Sequence, residues 1–142
     1  HFCDSDGTKD SSFITGCAMM ISSEVFKKIG LLDEKFFLYW EDADFTYRTR
    51  KAGFSTVVVP GSIVYHYERS QDKPDNKIYW LVFSGLLFFS KNTPFRFKLW
   101  MRAFLSVRKL KNWIDVNYSK DNRIALVVNK AYKDFKNAQK IR

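Results

Sequence analysis

The sequence predicts an α/β segment over residues 1–72 followed by a mostly helical, basic region over residues 73–142. Three observations carry this expectation. Apolar and β-branched runs, FITGCAMMI (13–21), FSTVVVP (54–60) and SIVYH (62–66), flank short stretches with helix start and stop signals. From about Ile78 onward, apolar residues recur at helical spacing. The charge changes near the same place: residues 1–70 hold 8 Lys/Arg and 10 Asp/Glu, whereas residues 71–142 hold 16 and 5, a net of +11.

Composition narrows the class. At 142 residues the chain is long enough for one core, and at 46% hydrophobic and 18% aromatic it is too apolar to stay disordered. It begins at His1 with no basic segment leading into an apolar run, which reads as a processed chain or a fragment without a signal peptide. Cys3 and Cys17 are too few for a disulfide framework and read as reduced thiols of a cytosolic protein. The longest apolar stretch, Ile78 to Phe89, falls short of a membrane span.

In chain order, residues 1–12 read as a polar loop. FITGCAMMI reads as a buried strand in which Gly16 permits close backbone approach or a bulge. Ser22 and Ser23 are N-cap candidates for a short helix, with Glu24 at its positive end and Gly30 to stop it. LLDEKFF should turn around Asp33 and Glu34. A second helix is expected from about Asp42 to Ala52, with Arg48, Arg50 and Lys51 near its negative end and Gly53 as its cap. FSTVVVP reads as a strand ending at Pro60, and SIVYH as another ending at His66. ERSQDKPDN is a polar connector, which Pro74 keeps from being helical throughout. Three helical stretches complete the chain, the second starting at Pro94, with Gly85 allowing close packing in the first.

The chemistry concentrates in LYWEDADFTYR (38–48), where Glu41, Asp42 and Asp44 lie among Tyr39, Trp40, Phe45 and Tyr47. Two readings stand. Asp42 and Asp44 can cap and charge the start of the second helix. Alternatively, a carboxylate at a strand-to-helix junction is placed for general-base work, and three repelling acids exceed what one cap needs. His66 reads either as structural or as a neutral ligand for a divalent metal at a strand end. The stretch around Phe95–Trp113 reads either as a packed helix with solvated charges or as a surface on an anionic membrane. In the second case Arg96, Lys98, Arg102, Arg108, Lys109 and Lys111 would meet the headgroups. Nucleic acid is disfavoured, because no recognition motif accompanies the charge.

Taken together, TGCAMMISSEVFKKIGLLDEKFFLYWEDADFTYRTRKAGFSTVVVPGSIVYH (15–66) closely resembles the family 2 glycosyltransferases of the GT-A fold, especially the rhamnosyltransferase-like branch. Nearly every element of the family pattern, a Gly-Ala-x-Met segment, a short helix ending in Gly, a Phe-Asp-Glu-x-Phe-Phe turn and Glu-Asp-x-Asp, is present in order. So are the Arg four residues beyond, the Ala-Gly helix end and the Val-Pro strand leading to His, with Leu32 in place of the usual Phe. The tail resembles the family loosely: Ser84-Gly85 stands where Arg-Asn is common, and NKAYKDFKN lacks the family's glycines. The resemblance implies a mixed GT-A sheet and inverting transfer from a nucleotide sugar to a saccharide or lipid-linked acceptor. It makes Asp42 the general base, with Glu41 and Asp44 shaping its field and capping the helix.

It further implies Tyr39, Trp40 and Gly16 on the acceptor side, Arg48 as structural, and His66 as a ligand to Mg or Mn on the diphosphate. Asp4-Ser5-Asp6 spells an Asp-x-Asp metal motif but has no strand before it, so it is rejected as one. With only 12 residues before Phe13, the chain is expected to be the C-terminal portion of a catalytic domain. It would hold the base and acceptor side while lacking most of the donor half, so that it is inactive alone and, through open strand edges, self-associating. The expected location is the cytoplasm, at the inner face of the membrane, in bacterial-type surface polysaccharide synthesis. The alternative is a non-catalytic basic module binding anionic membrane or polyanion through residues 91–142.

Overall fold

The structure is a computed structural model that describes residues 7–67 and 74–140. Cys3, the Asp4-Ser5-Asp6 motif and the ERSQDK part of the connector lie outside the described residues. The chain forms two units: one holds described residues 7–36 and 40–67, the other residues 37–39 and 74–140.

In the first unit, helix α1 (Ser23–Ile29) starts where Ser22 accepts the Glu24 N–H through its hydroxyl at 3.3 Å. It ends at Gly30, whose φ of 77° is open to glycine at little cost. Seven residues do not sustain a helix alone. Packing holds α1, through buried Val25 and the Phe26 ring 5.6 Å from that of Phe45. Asp33 then makes the expected turn, accepting from Lys35 N–H at its side chain and from Phe36 N–H at its carbonyl. Helix α2 (Glu41–Lys51) ends with Lys28 donating to the Ala52 carbonyl at 2.8 Å and Gly53 at φ 91°.

The expected mixed sheet is not formed among the described residues. One two-stranded antiparallel ribbon pairs β1 (Lys9–Asp10) with β2 (Val57–Val58). The FITGCAMMI segment is not a strand, and SIVYH is not one either. A strand exists only where a neighbour pairs its N–H and C=O groups, and apolar content does not substitute for that neighbour. Instead the first segment is tied to α2. Asp42, Thr46 and Arg50, spaced four apart on one face of α2, take successive points along it: Gly16 N–H, the Ile14 carbonyl, and Ser11 with Asp10.

The second unit is an α-helical array. Helix α3 (Pro74–Asn92) begins at proline, where no helical hydrogen bond is lost. Gly85 is buried in it, and Ser84, fully buried, donates to the Leu38 carbonyl at 2.8 Å. Phe37 packs at a tilt against Trp80, with ring centres 4.7 Å apart. After Pro94 a 3-10 turn (Phe95–Phe97) intervenes before α4 (Lys98–Tyr118), which runs five residues beyond the expected Trp113. Helix α5 (Arg123–Lys140) crosses α3 at fully buried Ala131, with Phe83 edge-on to Phe135 at 6.0 Å. Tyr79 donates to Asp134, which also takes Lys130 at 2.6 Å. Burial chiefly, then that hydrogen bond, pushes the Tyr79 hydroxyl above its usual range. The Lys130 and Tyr79 hydrogen bonds hold the Asp134 carboxyl below its own.

Candidate active site

The acidic cluster separates into three different environments along the first turn of α2. The cap of that helix is Trp40, with no side-chain hydrogen bond to the helix start, so Asp42 and Asp44 lie inside the first turn instead of capping it. Their charges still favour the positive helix end.

Asp44 is 0% exposed and its Oδ2 accepts from Arg48 Nε at 2.7 Å. The Arg48 guanidinium also donates to the carbonyls of Ile29 at 2.8 Å and Leu31 at 2.9 Å, and lies 5.2 Å over the Phe45 ring. This planar fork satisfies the end of α1 and a buried carboxylate together. Arg48 and Asp44 therefore bolt α2 to α1, and neither is turned to bulk solvent.

Asp42 points elsewhere. It is half-buried, its Oδ2 accepts from Gly16 N–H at 2.9 Å, and its Oδ1 accepts from Ala43 N–H at 2.7 Å. Each oxygen has a second lone pair beyond these contacts. A Cβ on residue 16 would lie 3.4 Å from the Asp42 Cβ, an ordinary contact, so the close approach of the backbone to the carboxylate does not itself demand glycine. Gly16, expected among acceptor contacts, is placed as the clamp of Asp42. Glu41, adjacent, has one carboxylate oxygen shielded from solvent without a hydrogen-bond partner. An orphaned acceptor of this kind is costly and marks a place where a donor or cation is missing from the inventory.

Tyr39 and Trp40, both half-buried, have φ of 64° and 70°. Left-handed backbone costs a bulky residue about 1–2 kcal/mol. Two in succession directly before the acidic turn place backbone strain where Asp42 is presented.

His66 is exposed, in an irregular segment beyond β2. Among the described residues no group of three or more His, Cys, Asp or Glu side chains comes together as a cation site. The residues present do not fit a metal by themselves; any divalent ion would take at most one imidazole from them.

Thr46 was not singled out in the sequence, and Arg50 was expected only as a charge near the negative end of α2. Their spacing with Asp42, four and eight residues on, was the signal available for them. Arg50 donates to Asp10 at 2.9 Å and to the Thr56 hydroxyl at 3.0 Å, holding the Asp10 carboxyl below its usual range. The Thr56 hydroxyl in turn donates to the Ser11 carbonyl. The Asp42 face of α2 is thus anchored at both ends.

Residues 3–80 match the family described as glycosyltransferase like family 2, more than half of the chain, and the chain belongs to that family. The low-salt glycan biosynthesis hexosyltransferase of Haloferax volcanii is 53% identical over 36 residues, 25% of this chain and 12% of the relative. The N-acetylglucosaminyl-diphospho-decaprenol L-rhamnosyltransferase of Mycobacterium tuberculosis is 34% identical over 56 residues, 39% of this chain and 18% of the relative. The matches thus span less than a fifth of the length of these curated relatives. No solved structure matches the chain.

Proposed function

We propose that this chain is the acceptor side of an inverting glycosyltransferase in which Asp42 is the general base. The observation that carries the reading is the Asp42 carboxylate itself: half-buried, oriented by the Gly16 N–H, and placed on the rigid start of a helix. Asp42 takes the proton of an acceptor hydroxyl as its oxygen bonds to the anomeric carbon of a nucleotide sugar. The bond from that carbon to the diphosphate breaks on the opposite face, with inversion. Glu41, whose one carboxylate oxygen is shielded and unpartnered, lies beside this proton transfer and shapes its field. The strained Tyr39-Trp40 backbone supports these aromatics as acceptor-side walls.

The acceptor is a saccharide or a lipid-linked saccharide, and a lipid-linked one brings the protein to the inner face of a membrane. The names of the two relatives, one acting on a diphospho-decaprenol, favour this class. The donor contacts and any metal on the diphosphate are left to groups beyond those described, so the chain alone is expected to be inactive. Exposed Met20, Leu31, Ile63 and Tyr65 support self-association of the chain studied by itself.

The test is Asp42→Asn in the longer enzyme with a panel of nucleotide sugars. Transfer falls at least about 100-fold on loss of a general base. Undiminished transfer would overturn the assignment.

A further inference from the structure

Helix α4 has two unlike faces within its own unit. One, with Met101, Leu105, Asn112 and Val116, is half-buried, and α4 packs on α5. The opposite face is a stripe of Leu99, Ala103, Val107, Leu110 and Ile114, at helical spacing and all exposed. Val107 is 66% exposed and Leu110 58%, values out of keeping with a core helix. Trp100 and Phe104 stack at 5.7 Å along one margin of the stripe, and Trp113 stands at the other.

The charges are placed by the same geometry. At 100° per residue, Arg102 borders the apolar stripe on one side and Lys111 on the other, while Lys109 lies over the Tyr132 ring of α5 at 5.4 Å and Arg108 lines the groove against α5. The helix has one acid, Asp115, and Lys111 occupies it at 2.7 Å. An apolar stripe bordered by cations and edge tryptophans matches the layers of a bilayer interface. Acyl chains meet the stripe, tryptophans sit at the glycerol level, and basic side chains reach back to anionic headgroups. A second copy fits poorly, because paired stripes would bring basic edges together. A polyanion fits poorly, because the centre of the face offers it only hydrocarbon.

We propose that this face of α4 lies flat in the surface of a membrane containing anionic phospholipid. No helix among the described residues is long and apolar enough to cross a membrane, so contact through these residues is peripheral. The inference rests on the reading that brings the protein to a membrane, and it adds which surface makes the contact.

Flotation of the whole 142-residue chain with vesicles tests it, comparing phosphatidylcholine alone with phosphatidylcholine and phosphatidylglycerol in equal parts. Binding to the mixed vesicles and its weakening by salt are expected. Val107→Asn with Leu110→Asn leaves every charge in place and lowers partitioning at least about tenfold. Arg102→Gln with Lys111→Gln lowers it about 25-fold, at about fivefold for each charge. All four positions are exposed, and circular dichroism verifies that each variant stays helical.

Equal binding to neutral vesicles, no flotation at all, or full binding by the Val107/Leu110 variant each overturns the proposal. The last outcome would reveal a bare charge patch for a polyanion. Loss of self-association in that variant without any lipid binding would assign the face to a second copy instead. Asp42→Asn floats like the parent, so failure of this surface and failure of the base assignment appear in different assays.

Discussion

Removing Arg48 should be among the most damaging single changes in the first unit. In Arg48→Ala, the fully buried Asp44 carboxylate loses a cation 2.7 Å away, and the carbonyls of Ile29 and Leu31 lose donors at 2.8 and 2.9 Å. Breaking a buried pair from one side costs about 3–5 kcal/mol. Arg48 is itself 18% exposed, so water enters part of the vacated space and the lower end applies, about 3 kcal/mol. The freed carbonyls add less than their separate values, since Leu31 is exposed and all three contacts form one network. The sum, about 3–4 kcal/mol, is a large part of the stability of so small a unit. Arg48→Lys keeps the charge but not the fork and should fall between.

The assay is urea unfolding of the 142-residue chain, read by circular dichroism and by amide exchange in α2. Asp44→Asn with Arg48→Met removes both charges and should recover much of the loss. The control, Lys111→Ala, breaks an ion pair exposed at 68% and 41% and should cost less than about 1 kcal/mol. If Arg48→Ala costs no more than that control, or the double variant is no better than the single one, the buried-charge argument is wrong.

Two further outcomes follow from the geometry. In the longer enzyme, Gly16→Ala puts a methyl 3.4 Å from the Asp42 Cβ and 3.6 Å from its Oδ2. As an ordinary contact it should lower kcat no more than a few-fold, whereas the branched Gly16→Val should lower it at least about tenfold, with acceptor KM unchanged; a change in acceptor KM alone would return Gly16 to the acceptor wall. In the second unit, the clasp between α3 and α5 should weaken at both ends of the pH scale. Asp134, held low, contributes stability above its ordinary value of about 3.9 that is lost as pH falls through its folded value. Tyr79 and Lys130, both pushed up, contribute stability below their ordinary values, about 10, that is lost as pH rises through their folded ones. Thermal melts across pH should show both limbs, and Asp134→Asn should abolish the acid one; an unaltered acid limb would exclude this carboxylate.

The helices were legible because their determinants are local. Ser22, Gly30, Gly53 and the spacing of Ile124 to Phe135 act within a few residues along the chain. The turn at Asp33 belongs with them, since its side chain closes on a backbone two residues away. Strands were not legible in this way. FITGCAMMI and SIVYH have the residue types of strands, but pairing is a property of a neighbour, and the run does not encode whether one is beside it.

The sequence by itself determined that this is a member of a sugar-transferring family, because that signature is an order of residue types along the chain. Residue chemistry alone did not distinguish Asp42 from Asp44, the same side chain two positions apart; the family resemblance made Asp42 the expected base and Asp44 structural. Two positions are about 200° around a helix, so the residues face opposite surroundings. Only tertiary structure decided that one meets Arg48 and is sealed off, while the other meets the Gly16 amide and stays half-exposed.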